Sequence, residues 1–293
     1  MDNNINQKNN KFKQIFRYQF VYVALLILMA AAVIMNINTG NVHISPVQIG
    51  KIIFLKGDSG TPEYNIIWKI RLPRLCMAAL GGALSLSGFL LQTFFRNPIA
   101  GPFVLGISSG AKMFVAITMI FLLEHVCGMP LWAQVAAAFV GSLFAMLYVL
   151  FFANKVKSMS MLLVVGIMIS YICSAITDLC ITFANDSNIA NLTHWAMGSF
   201  SGSSWATVKL AAFIIFPTAI VTFLFSKPIS AYLLGEGYAQ SMGINIKFFR
   251  VCIVLLSSLL SACVTALAGP ISFVGIAVPH ITRLSLKTTK PLI

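Results

Sequence analysis

Apolar runs long enough to cross a lipid bilayer recur along this chain of 293 residues. A membrane-spanning helix needs about 20 consecutive, mostly apolar residues. Short polar or basic segments separate seven runs of roughly that length, at residues 20–37, 72–95, 103–123, 131–153, 161–183, 207–226 and 251–268. Because a helix satisfies its own backbone in lipid, runs of this length predict an all-α, polytopic helical bundle.

A shorter apolar piece follows the seventh run. Pro270 and Pro279 bracket the eight residues Ile271–Val278, which would reach only about 12 Å as a helix. We therefore expect a short or broken last helix, of the kind that lines cavities. It brings the expected total to about eight transmembrane helices.

Charge and hydropathy agree with a membrane protein. The chain is 58% hydrophobic and 9% charged, which is far from the composition of soluble domains. Its net charge of +13 could indicate nucleic-acid binding. The basic residues instead lie in short clusters between apolar runs, as membrane topology requires. We expect membrane lipid and no nucleic acid as partners, and a multi-pass location in the cell membrane.

The distribution of lysine and arginine predicts the orientation. A cytoplasmic N-terminus places thirteen of these residues inside and six outside, in line with the positive-inside rule. Residues 1–19 then form a cytoplasmic tail, and residues 20–293 form one transmembrane domain.

A cleaved signal peptide is the alternative for the first run, which is longer than usual for such a segment. A short turn with Glu124, His125 and Gly128 separates the third and fourth runs.

No pattern of residues indicates catalysis. Six cysteines fall mostly inside apolar runs, without a Cys-x-x-Cys pair, and four histidines are scattered. We expect no metal site, no cofactor and no disulfide. No Walker A sequence, Gly-x-Ser-x-Gly or His-Glu-x-x-His is present, so we do not expect an enzyme. A membrane enzyme is therefore a distant alternative function, behind a secondary transporter that would need its own ion-coupling charges.

The stretch from Arg71 to Ala111 is the most informative part of the chain. It is rich in small residues at helical spacing, such as Gly81 and Ser85, which favour close helix packing in lipid. It then contains a series of helix breakers, Arg96–Pro98, Gly101–Pro102 and Gly106–Ala111. Irregular backbone at membrane depth must be enclosed by protein or line a water-filled cavity. This pattern indicates a transport path.

The same stretch resembles the FecCD-type permeases, the membrane subunits of ABC importers for iron-siderophores, haem and vitamin B12. In the first stretch the resemblance is carried by Arg71, Arg74, Gln92, Asn97, Pro98, Gly106, Ser108 and Gly110. A second signature is carried by Gly275, Pro279, His280 and Arg283. A cytoplasmic segment matches at Leu234, Gly235, Glu236, Ala239 and Gly243.

The resemblance implies three partners and a cargo. An ATP-binding subunit would dock on residues 234–243, where we expect a short helix ended by Gly243. An extracytoplasmic substrate-binding protein would place carboxylates on Arg71 and Arg74. A second copy, or a paralogous permease, would complete a dimer. The cargo would be an iron chelate, haem or a corrinoid, and ATP would be hydrolysed by the partner.

Three further expectations concern single residues and the chain end. Asp178 and Lys112 are intramembrane charges and therefore functional candidates; Asp178 is expected to face the outer cavity. His280 is expected to form hydrogen bonds at a broken helix end. The family continues with two more helices beyond the equivalent of Ile293, so we expect a chain ending there to transport weakly.

Overall fold

The computed structural model describes residues 2–38, 42, 44–55, 60–122, 130–153, 155–156 and 159–288. Within these ranges every regular element is helical. The helices are α1 (Asp2–Asn38), α2 (Pro46–Leu55), α3 (Pro62–Asn65), α4 (Leu72–Gly81), α5 (Ala83–Phe95), α6 (Ile107–Ile117), α7 (Leu131–Ala153), α8 (Met159–Thr182), α9 (Asp186–Ala196), α10 (Trp205–Leu224), α11 (Ser226–Leu234), α12 (Glu236–Ser241), α13 (Ile246–Ala268) and α14 (Val274–Leu286). Two π-helical segments, Ile66–Arg71 and Thr118–Leu122, join α3 to α4 and extend α6.

Six helical stretches of the described residues are long and apolar enough to cross a membrane, namely Phe12–Asn38, Pro62–Phe95, Leu131–Ala153, Ser160–Thr182, Trp205–Leu224 and Ile246–Ala268. Two shorter apolar helices cover Ile107–Phe121 and Val274–Leu286. The all-α, polytopic architecture is therefore confirmed, and the last helix is short as expected. The third run forms a shorter helix than predicted, because Gly106 holds a left-handed conformation and α6 begins only after it.

α13 lies at the centre of the bundle. It is the most buried of the six long stretches, whereas α1 is the least buried. α13 packs against α5, α7 and α10. Its contact with α5 includes the buried pair Ser87 and Ser257, in which the Ser87 hydroxyl donates to the Ser257 carbonyl at 2.8 Å. Small residues thus allow close packing in the α5 region, as the sequence predicted.

Two of the segments that separate the long apolar runs contain helices. Residues 38–64 include α2, and residues 184–204 include α9. Each helix has an apolar residue to bury, Ile52 on α2 and Leu192 on α9. α2 is largely apolar in sequence, whereas α9 is polar and Leu192 is its one buried residue. The structure also extends α1 back to Asp2, through the predicted N-terminal tail.

Some predicted features lie outside the described residues. These are the turn at Glu124, His125 and Gly128, and the chain end at Ile293.

The bundle has two ends, which we name by a helix at each. At the α9 end, the Ser199 amide donates to the Ala268 carbonyl at 2.7 Å, so the connection after α9 contacts the last residue of α13. At the α12 end, Arg96 follows α5 and donates to the Tyr232 carbonyl of α11 at 3.0 Å. These two ends position the candidate site residues.

Candidate functional site

The two motif stretches, residues 71–111 and 269–283, meet where α5 packs on α14. Gly88 of α5 lies so close to α14 that an added Cβ would overlap the Gly275 carbonyl group. In the turn after α5, an added Cβ at Gly101 would lie 2.8 Å from the Ile276 Cγ1 atom. Both positions require glycine because neighbouring atoms already occupy the space of a side chain.

Gln92 completes this contact by hydrogen bonding. Pro279 lies inside α14 and has no amide N–H, so the Gly275 carbonyl four residues earlier loses its helical donor. The Gln92 side-chain amide lies 3.4 Å from this Gly275 oxygen and 3.2 Å from the Ile276 oxygen. Gln92 is only 2% exposed. The side chain of one motif therefore satisfies the backbone of the other.

The irregular segment between α5 and α6 is enclosed by protein over part of its length, and Pro98, Ile99 and Phe103 are exposed. Asn97 begins it with a turn in which its side-chain oxygen accepts from the Ile99 amide at 3.0 Å, while Pro98 is exposed. Gly106 ends it with φ +79°, a conformation that favours glycine. The backbone from 100 to 102 and from 105 to 108, which includes Ser108, is buried.

Gly110 begins the packing of α6. An added Cβ at Gly110 would overlap the backbone of Gly141 on α7, and the reverse is also true. The two glycines therefore let α6 and α7 approach at backbone contact, which is how membrane helices gain packing energy without a hydrophobic driving force.

The segment Leu234–Gly243 forms a short helix at the α12 end, as predicted. Gly235 precedes α12 with φ +135°, and Gly243 follows it with φ +84°. Ala239 is fully buried and anchors the helix. Its other face carries exposed apolar side chains: Leu234 is 71% exposed, and Tyr238 and Met242 are 52% and 60% exposed. This segment lies outside all six long apolar stretches.

Glu236, the first residue of α12, joins three helices. Its two carboxylate oxygens each accept from Arg250 Nη2 of α13 at 2.9 Å, and the Tyr232 hydroxyl of α11 lies 2.9 Å from one of them. Burial raises the pKa of Glu236, but the hydrogen bonds from Arg250 and Tyr232 outweigh it and hold the pKa below its usual range. The carboxylate is therefore ionised at neutral pH.

Tyr232 connects this ion pair to the end of α5. It is fully buried, and its ring lies 5.0 Å from that of Phe249. Burial, followed by the hydrogen bond to Glu236, raises the pKa of Tyr232 to about 12, so the hydroxyl keeps its proton. The Arg96 guanidinium lies over the Tyr232 ring, 5.2 Å from the ring centroid. This distance is within cation–π range.

Arg71 lies at the α9 end, where it fixes the end of α1. It is 4% exposed, and its guanidinium donates to the Ile37 carbonyl and, at 2.7 Å, to the Val42 carbonyl. Carbonyls at a helix C-terminus lack helical donors, and Arg71 supplies one. The sequence-based hypothesis that Arg71 receives a partner's carboxylate requires an exposed guanidinium, which this structure does not have.

Arg74 is more accessible than Arg71. It is partly buried, and its Nη2 atom donates to the Asn36 side-chain oxygen at 3.2 Å. It lines an open hollow of about 610 Å³ with Asn36, Ser199 and Ser201 among its other residues. Lys69, two residues before Arg71, is exposed. Positive charge at this edge is therefore presented by Arg74 and Lys69.

A sequence model described as the FecCD transport family matches residues 26–293 of the chain, which is well over half of its length. The chain belongs to the FecCD transport family. The vitamin B12 import system permease protein BtuC of Escherichia coli, in strains UMN026 and K12/DH10B, is 34% identical to this FecCD chain over 264 residues. The match covers 89% of this chain and 77% of each relative.

A solved structure of a metal-chelate type ABC transporter, in an inward-facing conformation, is also similar. It superposes with a TM-score of 0.77 and 25% sequence identity, over 93% of this chain and 83% of the other. This FecCD chain is therefore a multi-pass membrane permease subunit of an ABC importer, as the sequence motifs predicted. Such an importer needs an ATP-binding subunit and a substrate-binding protein.

The remaining predicted residues of this FecCD permease lie apart from these clusters. Asp178 is exposed on α8, and Lys112 is partly buried on α6. Among the described residues, the one ion pair joins Glu236 to Arg250, so Asp178 and Lys112 do not pair. His280 lies within α14, on an exposed position, and not at a broken helix end. Arg283 lies 5.6 Å from the Phe89 ring centroid.

Sequence reasoning did not identify three residues that complete the site of this FecCD permease. They are Arg96 as a side-chain contact, Tyr232 and Arg250. Arg250 is a single basic residue near the start of an apolar run, and Tyr232 lies in a connection without a motif. Tyr232 lies four residues before Glu236 and Arg250 lies fourteen after it, on separate helices, and neither spacing indicates the contact. Within the described residues, no group of three or more His, Cys, Asp or Glu could hold a metal ion.

Proposed function

We propose that this FecCD permease moves a large metal chelate through a path between two permease copies. An ATP-binding subunit contacts α12 on the cytoplasmic side, and a substrate-binding protein docks at the α9 end. The observation that carries this proposal is the surface of α12. Leu234, Tyr238 and Met242 expose apolar side chains on a segment that lies outside the long apolar stretches.

The α12 surface suits an ATP-binding partner. Apolar side chains that project into water from a connecting segment mark protein–protein contacts. Here they lie on a helix whose position is fixed by the buried Ala239 and by the ion pair of Glu236. Gly235 and Gly243 bound the segment at positive φ, so it forms a separate short helix between α11 and α13. A rigidly held surface of this kind can receive movement from a partner.

The transport path runs along α8. Tyr171, Asp178 and Leu179 lie on one exposed side of this helix, and Tyr171 is 73% exposed. A carboxylate within a membrane-spanning stretch faces protein or a water-filled cavity rather than lipid. A second copy, or a paralogous permease, facing α8 would enclose such a cavity and remove the apolar side chains of this face from lipid.

The docking edge for the substrate-binding protein is formed by Arg74 and Lys69, while Arg71 positions it. The hollow beside Arg74 also presents the hydroxyls of Ser199 and Ser201. An arginine can bind a carboxylate through two hydrogen bonds. Arg71 holds the end of α1, which carries Asn36, against this edge.

The cargo is a metal chelate of the iron-siderophore, haem or corrinoid class. The names of the relatives support this class, since they include a vitamin B12 permease and a metal-chelate transporter. In this proposal the ATP-binding partner hydrolyses ATP, and the permease supplies the path for the cargo. An ion-coupled mechanism would need paired or relayed intramembrane charges, and Asp178 and Lys112 do not pair.

The experiment that tests the α12 contact combines labelling with co-purification. A cysteine introduced at Ser241 should react with a membrane-impermeant maleimide from the cytoplasmic side, and one at Ser201 from the outside. Met242→Asp should reduce co-purification of the ATP-binding subunit. Met197→Asp is the matched control, because Met197 is 72% exposed at the other end of the bundle. Labelling of Ser241 only from outside, or equal co-purification of both variants, would contradict the proposal.

The cargo class is tested separately in proteoliposomes that contain the full importer. Cyanocobalamin, haemin and ferrichrome are offered in turn, and ATP-dependent accumulation is measured. Uptake of one of them supports the metal-chelate class and identifies its member. Accumulation that depends on an ion gradient and not on ATP would instead favour a secondary transporter.

A further inference from the structure

Four side chains at the α12 end form a continuous chain of contacts between α12 and α5. Arg250 binds both carboxylate oxygens of Glu236, and the Tyr232 hydroxyl lies beside the same carboxylate. Arg96 then donates to the Tyr232 backbone and lies over its ring. The chain therefore begins on the proposed ATPase-contacting helix and ends on the residue that terminates α5.

The Tyr232 hydroxyl has two acceptors and one proton. It lies 2.9 Å from a Glu236 carboxylate oxygen and 3.3 Å from the carbonyl oxygen of Phe94, in the last turn of α5. A phenol donates one hydrogen bond at a time, so the shorter, charge-assisted bond to Glu236 prevails here. If Glu236 moved away, the hydroxyl could donate to Phe94 and would not be left buried without a partner. The Tyr232 hydroxyl therefore has an acceptor in two arrangements, of which the one with Glu236 has the stronger hydrogen bond.

Arg96 adopts a backbone conformation that glycine would adopt more easily. It follows α5 with φ 49°, and the Asn97 amide donates to the Gln92 carbonyl at 3.1 Å, as in a common helix ending. Glycine is the usual residue at this position, because any Cβ is unfavourable there. A glycine at this position would have no side chain, whereas the side chain of Arg96 contacts Tyr232.

The α5 end is connected to the rest of the path. Gln92, four residues before Arg96, donates to the backbone of α14 at Ile276 at 3.2 Å. Movement of the α5 end would therefore change the contact between the two motif stretches. Coupling through such a chain requires an element with two arrangements, and the Tyr232 hydroxyl provides one.

We propose that Glu236, Arg250, Tyr232 and Arg96 form a joint that transmits movement of α12 to the end of α5, with the Tyr232 hydroxyl exchanging between Glu236 and the Phe94 carbonyl. The proposal rests on the proposed contact between α12 and the ATP-binding subunit. The four side chains are positioning residues, since none of them needs to contact the cargo.

The test measures movement at each side of the joint. Spin labels are attached to cysteines introduced at Ser241 on α12, at Ile99 beyond α5 and at Lys155 as a reference, in a chain whose native cysteines are replaced. Ser241, Ile99 and Lys155 are all exposed. Distances from Lys155 are measured for the assembled importer in nanodiscs, with and without ATP and vanadate. In the parent chain we expect nucleotide to shift both distances.

Two variants separate the joint from general folding. Arg96→Gly keeps the left-handed helix end and removes only the side chain, and Glu236→Gln removes the charge that Arg250 binds. In both, we expect the Ser241 shift to persist and the Ile99 shift to be lost. Lys247→Gln is the matched control, because Lys247 is an exposed basic residue on the same helix as Arg250; it should keep both shifts.

The outcomes distinguish the joint from the function on which it rests. Absence of the Ser241 shift in the parent chain would overturn the ATPase contact at α12. A normal Ser241 shift with an unchanged Ile99 shift in both variants would overturn the joint alone. Loss of both shifts in Arg96→Gly would also contradict the joint, because the substitution would then have disrupted the ATPase contact at α12 and not the transmission from α12 to α5.

Discussion

Gln92 of α5 donates its side-chain amide to the Gly275 carbonyl of α14, which Pro279 leaves without a helical donor. Gln92 and Gly275 are 183 positions apart in the chain. One motif contains the proline that removes a helical hydrogen bond, and the other motif contains the side chain that replaces it. This reciprocity explains why a buried glutamine is compatible with an apolar helix, since an unpaired backbone carbonyl in the bundle would be unfavourable.

The first prediction is that the Gly275 carbonyl needs the Gln92 donor because residue 279 is a proline. Gln92→Leu should destabilise the permease by about 1–3 kcal/mol, because the carbonyls of Gly275 and Ile276 lose their donor. In a Pro279→Ala background, residue 279 regains an amide that can donate to Gly275, so Gln92→Leu should have a smaller effect. Denaturation in detergent of the four chains of this double-mutant cycle measures the coupling. Additive effects would show that the two residues act independently.

The second prediction concerns the close approach of α5 and α14. Gly88→Ala would place a methyl group on the Gly275 carbonyl, so backbone must move and not only a side chain. We expect a loss of about 3 kcal/mol, at the upper end of overpacking effects. Gly50→Ala on α2 is the control, because no heavy atom lies within 4 Å of its Cβ position. Monodisperse yield in detergent reports the difference, and equal yields would contradict the helix contact.

The third prediction is a pH dependence that originates from Glu236. Against the effect of burial, the hydrogen bonds from Arg250 and Tyr232 hold the pKa of Glu236 in the folded permease below its usual value. A group of this kind stabilises the fold above its unfolded pKa, and the contribution is lost as pH falls through the folded pKa. The parent chain should therefore begin to lose its advantage over Glu236→Gln as pH falls below about 4.3, the pKa of an unperturbed glutamate. We expect an advantage of less than about 1 kcal/mol at pH 7, because the Glu236 side chain is 39% exposed.

Thermal midpoints of the parent chain and of Glu236→Gln between pH 7 and pH 3.5 would measure this dependence. Glu63→Gln serves as the control, because Glu63 lies in α3, far along the chain from Arg250. If the parent and the Glu236→Gln chain changed in parallel over this range, the ion pair would not be the source of the pH effect.

Motifs and hydropathy predicted the main elements of the fold, and packing decided the rest. Long apolar runs locate the spans, and helix breakers locate the turn after α5. Both signals are strong because every backbone N–H and C=O group in lipid must be hydrogen-bonded within the protein. The α9 helix was missed since its composition is polar and a single buried leucine anchors it. The contact of Arg71 with the end of α1 was missed for another reason. A basic residue near a membrane boundary has the same sequence pattern whether it is exposed or buried.

The candidate site was also predicted only in part, because contacts between different helices cannot be deduced from the sequence pattern. Glu236 was identified by its motif, but its partner Arg250 lies fourteen residues away on another helix. Nothing in the spacing of these two residues indicates which basic side chain would reach the carboxylate. The short α12 helix itself could be predicted, because Gly243 at its end has a local conformational role.

The last prediction separates anchoring from docking at the α9 end. Arg71 is buried and donates to the carbonyls of Ile37 and Val42, whereas Arg74 borders an open hollow. Hydrogen bonds from a charged donor contribute about 1.5–3 kcal/mol each. Arg71→Met should therefore lower thermal stability without directly removing a docking contact. Arg74→Glu should leave stability almost unchanged and slow association with the substrate-binding protein, because it reverses a charge at the rim of the contact.

Surface plasmon resonance with the cognate substrate-binding protein and the nanodisc-embedded permease would measure this difference at several salt concentrations. For the parent chain we expect association to slow as salt increases, and for Arg74→Glu we expect a weaker salt dependence, since an attractive charge is lost. Lys247→Glu is the control for net charge, because Lys247 is exposed in the first turn of α13, at the other end of the bundle. Normal association of Arg74→Glu would exclude Arg74 as the docking residue. A stable Arg71→Met chain that associates slowly would instead restore Arg71 to the docking role that the motif first suggested.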